Sequence, residues 1–144
     1  PLRIWGKVEG GVIVPAEAPV ISAQCIRVPV SDGHMAAVSV SFDKTPERDE
    51  ILERWANWTT EAQRLKLPSA PTPFLKYFEE DNRPQTRLDR DFERGMGVTI
   101  GRLRKDTIFD YKFVALAHNT LRGAAGGGVL SAEYLCKAGY ITRK

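Results

Sequence analysis

Arg27 and His34 are the two residues whose types and spacing most directly suggest chemistry, lying seven positions apart in Arg27-Val28-Pro29-Val30-Ser31-Asp32-Gly33-His34. A guanidinium is a planar, permanently charged fork that matches a carboxylate or phosphate. An imidazole exchanges a proton near neutral pH. Together they suit a substrate that needs both an anion anchor and an acid/base. The same pair would equally serve as a surface charge and a turn residue, and spacing alone leaves both readings open. The flanking sequence says what must position them. Val20-Ile21-Ser22-Ala23-Gln24-Cys25-Ile26 leads in and Ala36-Ala37-Val38-Ser39-Val40-Ser41-Phe42 leads out, both strand-like in composition. Pro29 removes a backbone donor and fixes φ, and Asp32-Gly33 is a turn signal. The expectation is strand, tight connection, strand.

Other chemistry-bearing residues are few. The chain has two cysteines and two histidines, and Cys25, His34, His118 and Cys136 are too irregularly spaced for a metal site. Nothing resembles a disulfide framework, and both cysteines are expected to be buried small hydrophobes. Gly126-Gly127-Gly128 interrupts an otherwise helical stretch, which points to a close approach by another backbone or a ligand. There is no Walker lysine and no strand-borne Gly-x-Gly-x-x-Gly unit beside it, so it is a weak anion signal alone.

The 144 residues are enough for one domain with a real core, and 42% hydrophobic with 27% charged residues is a globular composition. No apolar run approaches the roughly 20 residues that span a bilayer, and the first residues carry no secretory apolar region. A cytoplasmic protein without a membrane partner is expected. The chain starts at Pro1 rather than Met, so it is expected to be a piece of a longer protein, whether engineered, proteolytic or natural. Residues 81–105 hold seven basic and four acidic side chains, which matches the whole chain's net charge of +3. The signs are interleaved, which favours local ion pairs over a nucleic-acid stripe.

Taken in order, residues 1–19 read as a short edge strand or ordered arm, and residues 20–28 as a first strand. Residues 35–43 form a second, with Val38, Val40 and Phe42 on one face and Ser39 and Ser41 opposite. Thr45-Pro46-Glu47 reads as a helix start. Ile51, Leu52, Trp55, Trp58, Ala62 and Leu65 then recur at helical spacing, giving one amphipathic helix of about four to five turns that ends at Leu67-Pro68. The aromatic stripe is read as core. Phe74–Phe78 is a short strand, Arg90–Arg94 a helical turn, and 95–103 and 109–117 an antiparallel pair. A last helix runs from Thr120 to Lys137 with Asn119 or Thr120 as its cap. The pattern β-β-α-β-β-β-α implies an α+β domain, a mostly antiparallel or mixed sheet covered by helices on one face.

Three stretches carry a family resemblance. Cys25-Ile26-Arg27-Val28-Pro29-Val30-Ser31-Asp32-Gly33-His34, then Arg83-Pro84-Gln85-Thr86-Arg87-Leu88-Asp89-Arg90, then Phe113 through Gly126 with Ala117-His118-Asn119-Thr120-Leu121-Arg122-Gly123-Ala124-Ala125, resemble aspartate-semialdehyde dehydrogenases, most closely fungal ones. They occur in the family's order across residues 25–126 and match only its C-terminal half. The resemblance implies the C-terminal domain of glyceraldehyde-3-phosphate-dehydrogenase-like enzymes. It implies reduction of aspartyl phosphate to the semialdehyde with NADPH, in the threonine and methionine branch of amino-acid biosynthesis. It assigns His34 as the acid/base, Arg27 as the anchor for the substrate carboxylate, and, more loosely, Asn119 to the nicotinamide end of NADP, with Gly123 and Ala124 permitting close packing there.

The family's other parts are missing from these residues. The nucleophilic cysteine follows an asparagine in the N-terminal half; Cys25 follows Gln24 and Cys136 lies late in the last helix, so neither matches. The dinucleotide fingerprint and the acidic residue for the substrate amino group are absent too. The chain alone is therefore expected to be inactive and to bind NADP poorly, lacking an N-terminal nucleotide-binding domain and forming a homodimer or higher homo-oligomer through its sheet. In the family the last helix returns to that other domain. Residues 120–144 are thus expected to be displaced, disordered or packed on a partner. Two other classes stay in view: a stand-alone homodimeric interaction domain that has no active site, and a basic nucleic-acid binder, which salt-dependent binding would reveal.

Overall fold

In the computed structural model, which describes residues 1–142, a hairpin of β1 (Lys7–Glu9) and β2 (Val12–Val14) precedes the main body. Then follow β3 (His34–Val40), α1 (Arg48–Ala56), α2 (Glu61–Arg64), β4 (Leu75–Phe78), α3 (Thr86–Asp89), β5 (Val98–Lys105), β6 (Tyr111–Ala117), a π-helical turn over Leu121–Ala125 and α4 (Gly126–Lys137). The sheet runs β3-β6-β5-β4; β3 and β5 are antiparallel to β6, and β4 is parallel to β5. The mixed sheet and α+β class expected from the sequence are the ones observed.

Alternation sets the two faces. Val38 pairs with Phe113 and Val40 with Tyr111, and this face packs under α1, where Ile51, Leu103 and Tyr111 form a buried cluster with Leu52, Trp55, Tyr77 and Phe113 around it. Trp55 meets Phe113 edge-on at 5.1 Å between ring centroids, a favoured aromatic geometry. The Tyr111 hydroxyl donates to the Pro46 carbonyl at 2.9 Å, which pins the approach to α1. Leu116 and Thr99 pair on the opposite face, both about 1% exposed. Gly101 lies on that face, where a Cβ would run into the Arg83 carbonyl and Pro84. The connection carrying α3 can therefore press directly onto the strand. A bulge between Gly101 and Arg104 shifts the register, and the Leu103 amide donates to the Tyr77 hydroxyl at 3.2 Å instead of to a ladder carbonyl.

Three expectations are corrected. Residues 20–28 form no strand: every one is exposed, and β6 already fills the slot between β3 and β5. Apolar, β-branched sequence makes a strand only where a partner edge completes the ladder. The long helix begins at Arg48, with the Glu47 amide donating to the Glu50 carboxylate at 2.8 Å, and it stops at Ala56. The Asn57 side chain there bonds back to the Glu53 carbonyl at 3.0 Å, and Thr60 starts a separate turn with its amide on Gln63 at 2.8 Å. Trp58 is consequently 54% exposed while Trp55 stays in the core. Both cysteines are exposed, Cys25 because its segment is unpaired and Cys136 because it lines an open groove between α4 and Leu67–Pro68. Two of the three glycines of α4 do meet backbone closely: a Cβ at Gly126 would strike the Met96 sulfur and come within 2.9 Å of the Leu121 carbonyl, one at Gly127 would strike the Arg122 carbonyl of the π-turn, and one at Gly128 would meet nothing.

The last helix is formed over the described residues. Glu133 accepts from the Ser69 amide at 3.0 Å and its hydroxyl at 2.7 Å, tying α4 to the loop after α2. Val129 and Leu135 remain uncovered on its surface. Residues 143 and 144, the end of the segment expected to be displaced, lie outside the described residues.

Candidate active site

His34 opens β3 opposite Ala117, the last residue of β6. It is solvent-exposed, but the turn leading to it is held tightly. Gly33 is buried at φ +108°, and a Cβ there would meet Leu116 at 3.0 Å and Thr86 at 3.2 Å, so only glycine enters the strand this way. The Gly33 amide donates to Asn119 Oδ1 at 2.9 Å, and because a backbone N–H can only donate, the acceptor must be the oxygen of that amide. The Thr120 hydroxyl donates to Asp32 at 2.9 Å, and the Arg90 guanidinium to Ser31 Oγ at 2.7 Å. Asn119 and Thr120, expected as helix caps, instead reach back to this turn. The capping task falls to His118, whose Nδ1 accepts from the Thr120 and Leu121 amides, each at 3.2 Å. Its Nε2 then faces Asp91 at 3.8 Å.

The structure thus brings two of the three expected site residues, His34 and Asn119, to one corner. Arg27 lies in the exposed 20–28 segment and, among the described residues, has no hydrogen bond or ion pair to either. The Arg83–Arg90 stretch, whose interleaved charges imply local ion pairs, has an architectural role. Asp89, about 4% exposed, takes both forks of Arg83, with Nε at 2.7 Å, and accepts from the Gln85 amide at 2.7 Å. Burial pushes the Asp89 carboxyl up, but the Arg83 hydrogen bonds, the Gln85 amide and the nearby Lys76 charge outweigh it and hold it below the ordinary carboxylate range. This folded loop is what carries Arg90 to Ser31. Close by the last turn, Arg122 stacks over the Phe74 ring at 4.8 Å, and burial lowers its guanidinium's proton affinity. Among the described residues no group of acidic, histidine or cysteine side chains is arranged to hold a metal.

Residues 2–122 match the family model described as semialdehyde dehydrogenase, dimerisation domain. The chain belongs to that family. It is 51% identical over 125 residues to an aspartate-semialdehyde dehydrogenase of Schizosaccharomyces pombe, covering 85% of this chain and 35% of that protein. It is 43% identical over 136 residues to one from Methanothermobacter thermautotrophicus, covering 93% and 39%. An aspartate semialdehyde dehydrogenase of Candida albicans, solved with NADP, superposes with a TM-score of 0.84 at 36% identity, over 97% of this chain and 41% of that one. The chain thus spans roughly a third of the length of the curated relatives it matches. The sequence resemblance to the fungal enzymes is supported and extends to an archaeal one. Among the described residues no helix is long and apolar enough to cross a membrane.

Proposed function

We propose that this semialdehyde dehydrogenase domain is the C-terminal half of a cytoplasmic, NADP-dependent aspartate-semialdehyde dehydrogenase. The reaction is aspartyl phosphate, NADPH and a proton giving aspartate semialdehyde, NADP and phosphate, in the threonine and methionine branch. When bound, NADP exchanges the hydride with the substrate carbon. His34 carries the proton that the reacting oxygen or thiol gains or loses. Arg27 grips the substrate carboxylate with its two-pronged guanidinium once its segment is ordered. Asn119 Oδ1 is occupied by Gly33, so its remaining donor, Nδ2, is the group free to meet a carboxamide oxygen at the nicotinamide end. Gly123 leaves space there, with the His118 carbonyl 3.7 Å from where its Cβ would be. These residues fit that end of the cofactor alone. The nucleophilic thiol and the rest of the nucleotide site belong to the missing half, so the isolated chain is inactive. Homo-oligomer formation, expected of a dimerisation-domain family, is assigned to the sheet, whose β3 edge is unpaired among the described residues.

The observation that carries this reading is the convergence of His34 and Asn119 at one rigid corner, in a chain related to these enzymes. With a nucleotide-binding half supplied as a separate chain, His34→Ala should lower kcat by about 10²-fold or more. Arg27→Ala should act mainly on KM for the semialdehyde, by about tenfold or more. Neither substitution changing turnover would sink the assignment. A second reading, a homodimeric interaction domain that has no active site, is favoured by Arg27 lying apart from His34 among exposed apolar residues such as Val20 and Ile26. It predicts dimers by light scattering together with insensitivity to both substitutions.

A further inference from the structure

The three residues before His34 are each held by a side chain distant in sequence: Ser31 by Arg90, Asp32 by Thr120 and Gly33 by Asn119. Two of these bonds are exposed, where water competes for the same groups; the Gly33 bond is partly buried, and its donor sits in a packed residue. Gly33 is also the residue with unusual backbone geometry, so its orientation sets the direction in which the next Cα–Cβ bond leaves the chain. That next residue is His34.

We propose that Asn119 is a positioning residue for His34: its side-chain oxygen locks the Gly33 amide and thereby fixes where the imidazole is presented at the start of β3. The assignment rests on His34 being the acid/base. It is separate from any contact of Asn119 with nicotinamide, because it uses the oxygen and leaves the nitrogen. Thr120 and Arg90 support the same turn from its other two residues. The π-helical turn that starts at Leu121 is therefore tied to the His34 corner through the two residues that precede it.

Amide exchange and nitrogen relaxation on the 144-residue chain test the lock with no cofactor present, so an effect there cannot arise from a nicotinamide contact. Asn119→Ala should speed exchange of the Gly33 amide by about tenfold or more. It should also lower the His34 amide order parameter from the rigid range near ~0.85 toward ~0.6. Asn119→Asp keeps an acceptor oxygen and loses the donor, and should retain both values. Asn119→Gln moves the acceptor by one methylene and should behave like Asn119→Ala, providing the reading if that variant does not fold. With the nucleotide-binding half added, Asn119→Ala should reduce kcat about tenfold with KM for the semialdehyde within about twofold. An unchanged His34 order parameter in Asn119→Ala, or equal loss in Asn119→Asp, overturns the proposal. Full turnover by His34→Ala would instead remove the acid/base reading while leaving the Gly33 measurements intact.

Discussion

Asp89 shows how much of the candidate site's geometry rests on one buried carboxylate. Its buried carboxylate takes Arg83 and the Gln85 amide at once, and the loop it closes delivers Arg90 to the His34 turn. Replacing it by asparagine removes the charge and leaves the Arg83 fork facing a neutral amide. Asp89→Asn should cost about 2 kcal/mol at neutral pH, measured by denaturant melts, because hydrogen bonds to charged groups are worth about 1.5–3 kcal/mol. The pH dependence has a defined sign. The folded carboxyl titrates below its unfolded value of about 3.9, so its stabilisation is complete well above that value and is lost as pH falls through 4 toward the folded pKa. The wild-type chain should therefore lose stability more steeply than Asp89→Asn over that acid range. That charges in residues 81–105 pair locally was legible from their interleaved signs, and the Arg83–Asp89 pair bears it out. Which pair would be buried was not legible, since that depends on Gly101 letting the loop settle on β5.

Elements are most legible in the sequence where hydrophobic period and partner agree. The β5–β6 pair, the second strand and the last helix follow their alternation or helical spacing. The helix from Arg48 fails its sequence reading where local hydrogen bonding by Asn57 and Thr60 competes with continuation, a contest that spacing of apolar residues does not register. The two tryptophans that spacing placed on one stripe are separated by that break. Trp55→Ala should cost about 3–5 kcal/mol, as large aromatic truncations in cores do, whereas Trp58→Ala should stay within about 0.5 kcal/mol. Parallel urea melts decide this, and equal costs would restore the single helix. Asn119 and Thr120 illustrate a second limit. Their types and position say cap, and only the fold shows a better use for both, with His118 capping in their place. Segment 20–28 illustrates a third, because strand character in the sequence does not supply the neighbouring strand.

At the scale of the whole molecule, the chain carries more uncovered apolar surface than its composition requires. Val20, Ile26 and Val28 on the unpaired segment, Trp5, Val8 and Val12 around the hairpin, and Val129 and Leu135 on α4 are all exposed. Such surface is characteristic of a domain that meets other chains or domains. It agrees with a chain that covers about a third of its relatives' length and belongs to a dimerisation-domain family. Arg27 sits inside one of these uncovered segments, so completion of the proposed site depends on whatever orders residues 20–28. The most direct measurement is reconstitution: the chain is mixed with a separately produced nucleotide-binding half, and NADP-dependent oxidation of aspartate semialdehyde in the presence of phosphate is followed by absorbance of the reduced nicotinamide. The proposed half-site predicts no turnover from either half alone, turnover from the mixture, and its loss in His34→Ala. Turnover by this chain alone, or a mixture whose rate His34→Ala leaves untouched, would contradict it.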